Sequence, residues 1–205
     1  MNKLFPVFYS KLLLLCINLY QYQFKDNNNT IHNQVLLTNG CFCDKIEAHV
    51  KGIPHYAFSV MIFDSKNNLL LQRRAKSKYH SGGLWSNACC GHPLVNTSID
   101  IINKAAAKRL EEEMGICSKL QYKYSFKYQV GCGALTENEV DYVFEGIYNC
   151  ETPISYNKIE VENYRWVTRE KLIKDVHSNP YAYTSWFRII LNHRSEEHTS
   201  ELQSR

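Results

Sequence analysis

The chain has 205 residues, 44% hydrophobic and 21% charged, with a formal net charge of +4. That length fits one globular domain with extensions. The charge is modest and scattered, and no Lys/Arg run argues for a nucleic-acid partner, whereas a small anionic ligand is compatible.

The eight cysteines are Cys16, Cys41, Cys43, Cys89, Cys90, Cys117, Cys132 and Cys150. None forms a C-x-x-C pair, which argues against a zinc ribbon or a thioredoxin-like motif. A chain this long buries a core without disulfides. The thiols are therefore expected to be reduced and the compartment cytoplasmic.

Residues 1–33 are unlike the rest. The apolar run Leu12–Ile17 is too short to span a bilayer, and a polar run, Lys25–Thr30, follows. This segment is expected to lie outside the fold, as a disordered extension or a start placed too early, and no membrane partner is expected.

Gln34–Thr38 reads as a short strand and Asn39-Gly40 as a turn. Residues 44–49 suit a short helical turn. His55–Phe63 is an apolar strand, Asp64–Asn68 a turn and Leu69–Arg73 a returning strand, together a hairpin. Arg74–Leu84 is a polar, glycine-rich loop carrying Arg74, Lys76, Lys78 and His80.

Ser98 can cap a helix running to Met114, with Ile101, Ile102, Ala105, Leu110 and Met114 near one face and Gly115 as its stop. Leu120–Val130 alternates apolar and polar residues throughout, the clearest strand pattern in the chain. A loop over Gly131–Leu135 leads to a strand over 137–148, and Tyr164–Val167 is another. Thr168 caps a helix over 169–176, and Pro180 opens a final segment carrying Trp186. Strands, one long helix, more strands and a helix imply an α/β sandwich with a mixed β-sheet over residues 34–193. The tail 194–205 resembles a translated sequencing adapter, so the domain is expected to be cut short near His193.

The chemistry centres on Trp85-Ser86-Asn87-Ala88-Cys89-Cys90-Gly91-His92-Pro93. In extended backbone Cys90 and His92 share a face, and Cys89 points to the other. A thiol and a possible metal ligand thus stand side by side. Glu137 and Glu139 are also two apart. With His49, His55 and His92 they would make a site suited to Zn, Mn, Fe or Mg, if the fold gathers them. Lys45, Arg74, Lys78 and Arg109 are candidates for holding a diphosphate, Arg by a bidentate fork and Lys as a point charge.

Lys108-Arg109-Leu110-Glu111-Glu112-Glu113-Met114-Gly115-Ile116 resembles the end of the Nudix box, Arg-Glu-apolar-X-Glu-Glu-X-Gly-apolar. Lys108 stands at the box arginine and Arg109 at its first glutamate, while Glu113 is retained. A cation at that glutamate leaves the metal cluster of a Nudix hydrolase incomplete.

Taken with Ala57-Phe58-Ser59, the run Leu70–His80, Trp85–Pro93, Glu137–Val140 and Tyr183–Trp186, in that order, the chain resembles type I isopentenyl diphosphate isomerases. The resemblance covers nearly all of 34–193 and implies a Nudix-type α/β/α sandwich. It implies Cys90 and Glu139 as catalytic acid/base groups, with Tyr128 hydrogen-bonded to Glu139, and Trp186 lining the hydrocarbon pocket. It also implies one divalent metal (Mn2+, Mg2+ or Zn2+) on His49, His55, His92, Glu137 and Glu139. Mg2+ would bind at Glu113, and Lys45, Arg74, Lys78 and Arg109 would contact the diphosphate. The implied reaction, part of isoprenoid biosynthesis, interconverts isopentenyl and dimethylallyl diphosphate through a tertiary carbocation, in a monomer or weak dimer. The alternatives are a Nudix hydrolase of a nucleoside diphosphate derivative and a non-catalytic metal- or nucleotide-binding module.

Overall fold

The computed structural model describes residues 33–94, 98–149 and 153–193. The adapter-like tail, and all but Asn33 of the N-terminal extension, lie outside the described residues.

Strands β1 (Gln34–Leu36) and β2 (Phe42–Asp44) form a two-stranded antiparallel sheet. Asn39 Oδ1 accepts from the Cys41 amide at 3.0 Å in the turn between them. Helix α1 (Lys45–Lys51) follows directly. The Asp44 carboxylate caps its Glu47 amide at 3.0 Å, satisfying an end N–H that has no partner within the helix. Its inner face buries Ile46, Ala48 and His49.

The main sheet contains β3 (His55–Phe63), β4 (Leu69–Arg74), β5 (Trp85–Ser86), β6 (Cys89–Gly91), β7 (Gln121–Cys132), β8 (Leu135–Ile147) and β9 (Val161–Val167). The order β5-β4-β3-β8-β7 is flanked by β6 on β3 and β9 on β4. Only the β3–β8 pair is parallel among these pairings, so the sheet is mixed as expected.

Helix α2 (Ile99–Met114) covers one face; α3 (Arg169–Ser178), a 3-10 turn (Pro180–Ala182) and α4 (residues 185–193) cover the other. Phe58, Val60 and Ile62 of β3 pack with Ile102, Ala106, Leu110 and Met114 of α2. Met61 turns the opposite way, toward Leu71, Val143, Trp186, Phe187 and Ile190. Because β3 is covered on both faces, its sequence is a continuous apolar run rather than an alternation.

Several expectations need correction. β3 and β4 pair only at Phe63↔Leu69, not along a full hairpin. Beyond that point β6 lies along β3, while β4 turns to β5 and β9. The alternation over Leu120–Val130 does not mark one face. A register shift between Tyr122 and Tyr124 sends Leu120 and Tyr122 to the α2 side and Tyr124, Phe126 and Tyr128 to the other. An extra residue in one strand re-aims the side chains after it. The expected loop over 131–135 is a tight turn, with β7 and β8 paired as far as Cys132↔Leu135 and Gly133 at φ 68°. On α2, Ala106 is fully buried, while Ile101 and Ala105 line a cavity.

Candidate active site

The sheet register assembles the site. Side chains two residues apart on a strand share a face. On β3 this brings His55 and Ser59 to the face that also holds Glu137, Glu139 and Asp141 of β8. The parallel register sets His55 beside Glu139, and the antiparallel β7 sets Tyr128 beside the same residue. β6 places Cys90 beside Ser59. Gly91 permits this packing, because a Cβ there would lie 2.6 Å from the Phe58 ring.

These residues border a cavity of about 590 Å³. All of the residues expected from the sequence line it except His55 and Glu113, which are buried behind its wall.

At one part of the wall, histidines face carboxylates. His49 Nδ1 lies 2.6 Å from the Lys45 carbonyl and His55 Nδ1 2.8 Å from the Ile53 carbonyl. A carbonyl can only accept, so each Nδ1 carries the proton and each Nε2 is left facing inward. His49 Nε2 meets Glu137 Oε2 at 3.2 Å, and His55 Nε2 meets Glu139 Oε1 at 3.3 Å. His92 Nε2 lies 3.1 Å from Glu139 Oε1. Yet His55 Nε2 and Glu137 Oε2 are buried without a hydrogen bond of acceptable geometry. In neutral His49 and His55, the inward lone pairs oppose carboxylate oxygens, an arrangement that a shared cation relieves. The nitrogen and oxygen donors can hold a divalent metal.

Electrostatics sharpen this. Burial pushes His92 down to about 4 and lowers His49 as well. Burial acts the same way on His55, but the Glu139 carboxylate facing its Nε2 outweighs burial and raises the ring above its usual range. Burial also opposes ionisation of Glu139, yet His55 and His92 keep it well below the carboxylate range. Burial and the adjacent Glu139 push Glu137 well above it. Tyr128 donates to Glu139 Oε2 at 2.5 Å, and burial followed by the Glu139 charge keeps the phenol protonated.

Cys90 lies in a separate polar cradle. Asn87 Nδ2 donates to the Val60 and Cys89 carbonyls at 3.2 and 2.8 Å. Its Oδ1 is thereby turned to accept from Cys90 Sγ at 3.3 Å and Ser86 Oγ at 3.0 Å. Ser59 Oγ, 3.6 Å from Cys90 Sγ, donates to Asp141 Oδ2 at 2.8 Å. Burial, then the Asp141 charge, pushes the Cys90 thiol up to about 12, so it is held as a neutral acid. Cys89 is fully buried in the α2-side core, as its opposite facing implies.

Trp186 is 4% exposed and packs in the other core. The Arg74 guanidinium lies 5.2 Å from its ring centroid and donates to the His80 carbonyl at 3.1 Å. Arg74 is thus engaged with the Trp186 wall of the cavity.

Lys45, Lys78 and Arg109 gather elsewhere on the wall. Burial lowers the Lys45 pKa, and repulsion from Lys78 and Arg109 lowers it further. Arg109 meets Glu113 at 2.6 Å and Glu160 at 3.1 Å. Lys78 pairs closely with Glu160 and lies 3.5 Å from Glu113. Glu113 also accepts from Gln72 at 2.9 Å. Such clustered cations suit an anionic ligand.

Sequence reasoning gave no role to Ser59, Asn87, Asp141 or Glu160, and placed His80 only in a loop. Asp141 carried a usable signal, as the next same-face position after Glu137 and Glu139. Glu160 reaches the site only through the chain's path into β9.

Residues 53–187 match the NUDIX domain family. The chain is 44% identical over 160 residues to "Isopentenyl-diphosphate Delta-isomerase 2" of Photorhabdus laumondii, covering 78% of this chain and 88% of that protein. It is 34% identical over 184 residues to "Isopentenyl-diphosphate delta-isomerase" of Schizosaccharomyces pombe, covering 78% and 79%. Among solved structures, the MutT protein from Methanosarcina mazei shares the fold at a TM-score of 0.55 and 18% identity, over 71% of this chain and 95% of that one. The Nudix architecture and the identity to these enzymes agree, and the chain belongs to the isopentenyl-diphosphate delta-isomerase family within the NUDIX domain group.

Proposed function

We propose that this chain interconverts isopentenyl diphosphate and dimethylallyl diphosphate. The observation that carries the reading is that a neutral thiol, Cys90, and a hydrogen-bonded Tyr128–Glu139 pair border one cavity whose wall also gathers Lys45, Lys78 and Arg109.

The reaction adds a proton to an unactivated alkene and removes a different proton from the resulting tertiary carbocation. It needs two acid/base groups on either side of the hydrocarbon. Cys90 supplies one, oriented by Asn87. Glu139 with Tyr128 supplies the other. Trp186 offers its π face to the developing cation, worth about 2 kcal/mol when desolvated. Water would capture the cation, so turnover requires the cavity to be closed to solvent.

Lys45, Lys78 and Arg109 hold the diphosphate, which stays intact. Glu113, buried behind the wall and paired with Arg109, would hold Mg2+ for it once that pair gives way. His49, His55, His92, Glu137 and Glu139 would hold a second divalent metal, Mn2+, Mg2+ or Zn2+. When bound, such an ion would fix the Glu139 carboxylate and tune its acidity.

Arg109 speaks against hydrolysis, because at the box position it offers a cation bonded to Glu113 rather than a metal-binding carboxylate. The free thiols among the described residues fit a reducing, cytoplasmic setting, and no helix among those residues is long and apolar enough to cross a membrane.

The test is turnover of isopentenyl diphosphate in D2O with and without Mg2+, following product and phosphate. Dimethylallyl diphosphate carrying solvent deuterium is expected. Release of phosphate without isomerisation, or product lacking deuterium, would reject the reading.

A further inference from the structure

His80 comes from the polar loop after β4, yet its ring is carried into the histidine–carboxylate centre. Its side chain is 6% exposed, and Nε2 lies 3.1 Å from Glu137 Oε1. The ring is stacked on His49 with centroids 5.7 Å apart. Nδ1 lies 3.2 Å from Ser81 Oγ, which can accept from it as the backbone carbonyls accept from His49 and His55. All three rings therefore share one arrangement: Nδ1 held by an oxygen, Nε2 directed at a carboxylate oxygen. An outer partner on the second nitrogen is how proteins orient metal-ligating histidines.

The donor atoms fall into two overlapping sets, His49/His55/His92/Glu139 and His49/His80/Glu137, each with its atoms within 4.8 Å of one another. His49 belongs to both. The second set needs His80 to be complete, since without it only His49 faces Glu137 there.

We propose that His80 is a further ligand of the divalent-metal centre, contributing a fourth imidazole beside His49, His55 and His92. This rests on the metal-site reading of that centre, not on isomerase activity. The position has a structural consequence. The His80 ring meets the Trp186 indole edge-on at 5.6 Å, and its carbonyl accepts from Arg74. Ligation by His80 would therefore fix the 74–84 loop against the Trp186 wall of the cavity.

The experiment loads the full chain with Co2+ and counts imidazoles by X-ray absorption. Visible spectra and titrations on the unmodified chain, His80→Ala and His80→Gln accompany it. Four imidazoles are expected in the unmodified chain and three in each variant, with a changed d–d band and roughly tenfold or greater loss of Co2+ affinity. Three imidazoles in the unmodified chain overturn the proposal while leaving the metal centre standing. So do variants with an unaltered spectrum, even if affinity falls, because His80 then only orients Glu137. Failure of the unmodified chain to bind Co2+ through histidine overturns both the proposal and the metal-site reading. The unmodified-chain count decides the matter even if both variants misfold.

Discussion

Tyr128 and Glu139 are register partners across the antiparallel β7–β8 pair, and the phenol donates to Glu139 Oε2 at 2.5 Å. Glu139 has a second register partner, His55, across the parallel β3–β8 pair, and Oε1 faces it at 3.3 Å. One carboxylate is therefore gripped from both neighbouring strands. Tyr128→Phe removes the hydroxyl while keeping the ring packed among Phe126 and its neighbours. We expect kcat to fall by roughly 10²-fold or more with little change in KM. Steady-state kinetics with isopentenyl diphosphate checks this, and an unchanged kcat would remove Tyr128 from the mechanism.

Cys89 and Cys90 are adjacent but enter different cores. Cys90→Ala should abolish isomerisation without loss of the fold. Cys89→Ala should keep most activity and lose about 1 kcal/mol of stability, as for other modest core deletions. Because burial and Asp141 push the Cys90 thiol up to about 12, its alkylation should also stay slow at neutral pH and accelerate only in strong alkali. Mass spectrometry of iodoacetamide-treated protein across pH reads this directly. Fast labelling of Cys90 at pH 7 would contradict the neutral-acid state.

Arg109 contacts Glu113 and Glu160 from the position a hydrolase gives to a glutamate. Arg109→Ala should raise KM for the diphosphate by about tenfold or more, since a charge-assisted contact contributes roughly 1.5–3 kcal/mol. A lowered kcat at unchanged KM would place Arg109 in the chemistry rather than in binding.

Gly91 has no room for a side chain, with the Phe58 ring 2.6 Å from the place of a Cβ. Gly91→Ala should destabilise the protein by about 1–3 kcal/mol through overpacking. It should also disturb the flanking Cys90 and His92. Denaturant unfolding measures the first effect. A variant of unchanged stability would show that β6 has freedom to move away from β3.

Asp175 of α3 joins Arg165 of β9 at 3.0 Å and Tyr183 at 2.5 Å, and the Arg165 guanidinium lies 4.2 Å from the Trp85 ring centroid. The hydrogen bond from Tyr183, then that from Asn179, holds the Asp175 carboxyl below its usual range. Its contribution is therefore complete above the unfolded carboxyl value of about 4 and is lost as pH falls through the lower folded value. Asp175→Asn should lower the urea midpoint at pH 7, and the gap to the unmodified protein should close in stronger acid. A gap that widened on acidification would refute the linkage.

The sequence by itself determined the layers and which candidate residues share a face. The 3.6-residue pattern of α2, the apolar run of β3 and the i, i+2 spacings of Cys90/His92 and Glu137/Glu139 are local properties that the backbone turns into shared faces. The strings around Cys90 and Glu139 carried the family. Tertiary structure decided what local periodicity does not encode. The register shift at Tyr122/Tyr124 re-aimed Tyr128's side of β7, and β6 along β3 opened the expected hairpin. Asn87's amide acquired an orientation only because the Val60 and Cys89 carbonyls take both of its N–H groups. His80 reached the histidine centre because its loop folds over the sheet, bringing together residues with no common spacing in the chain.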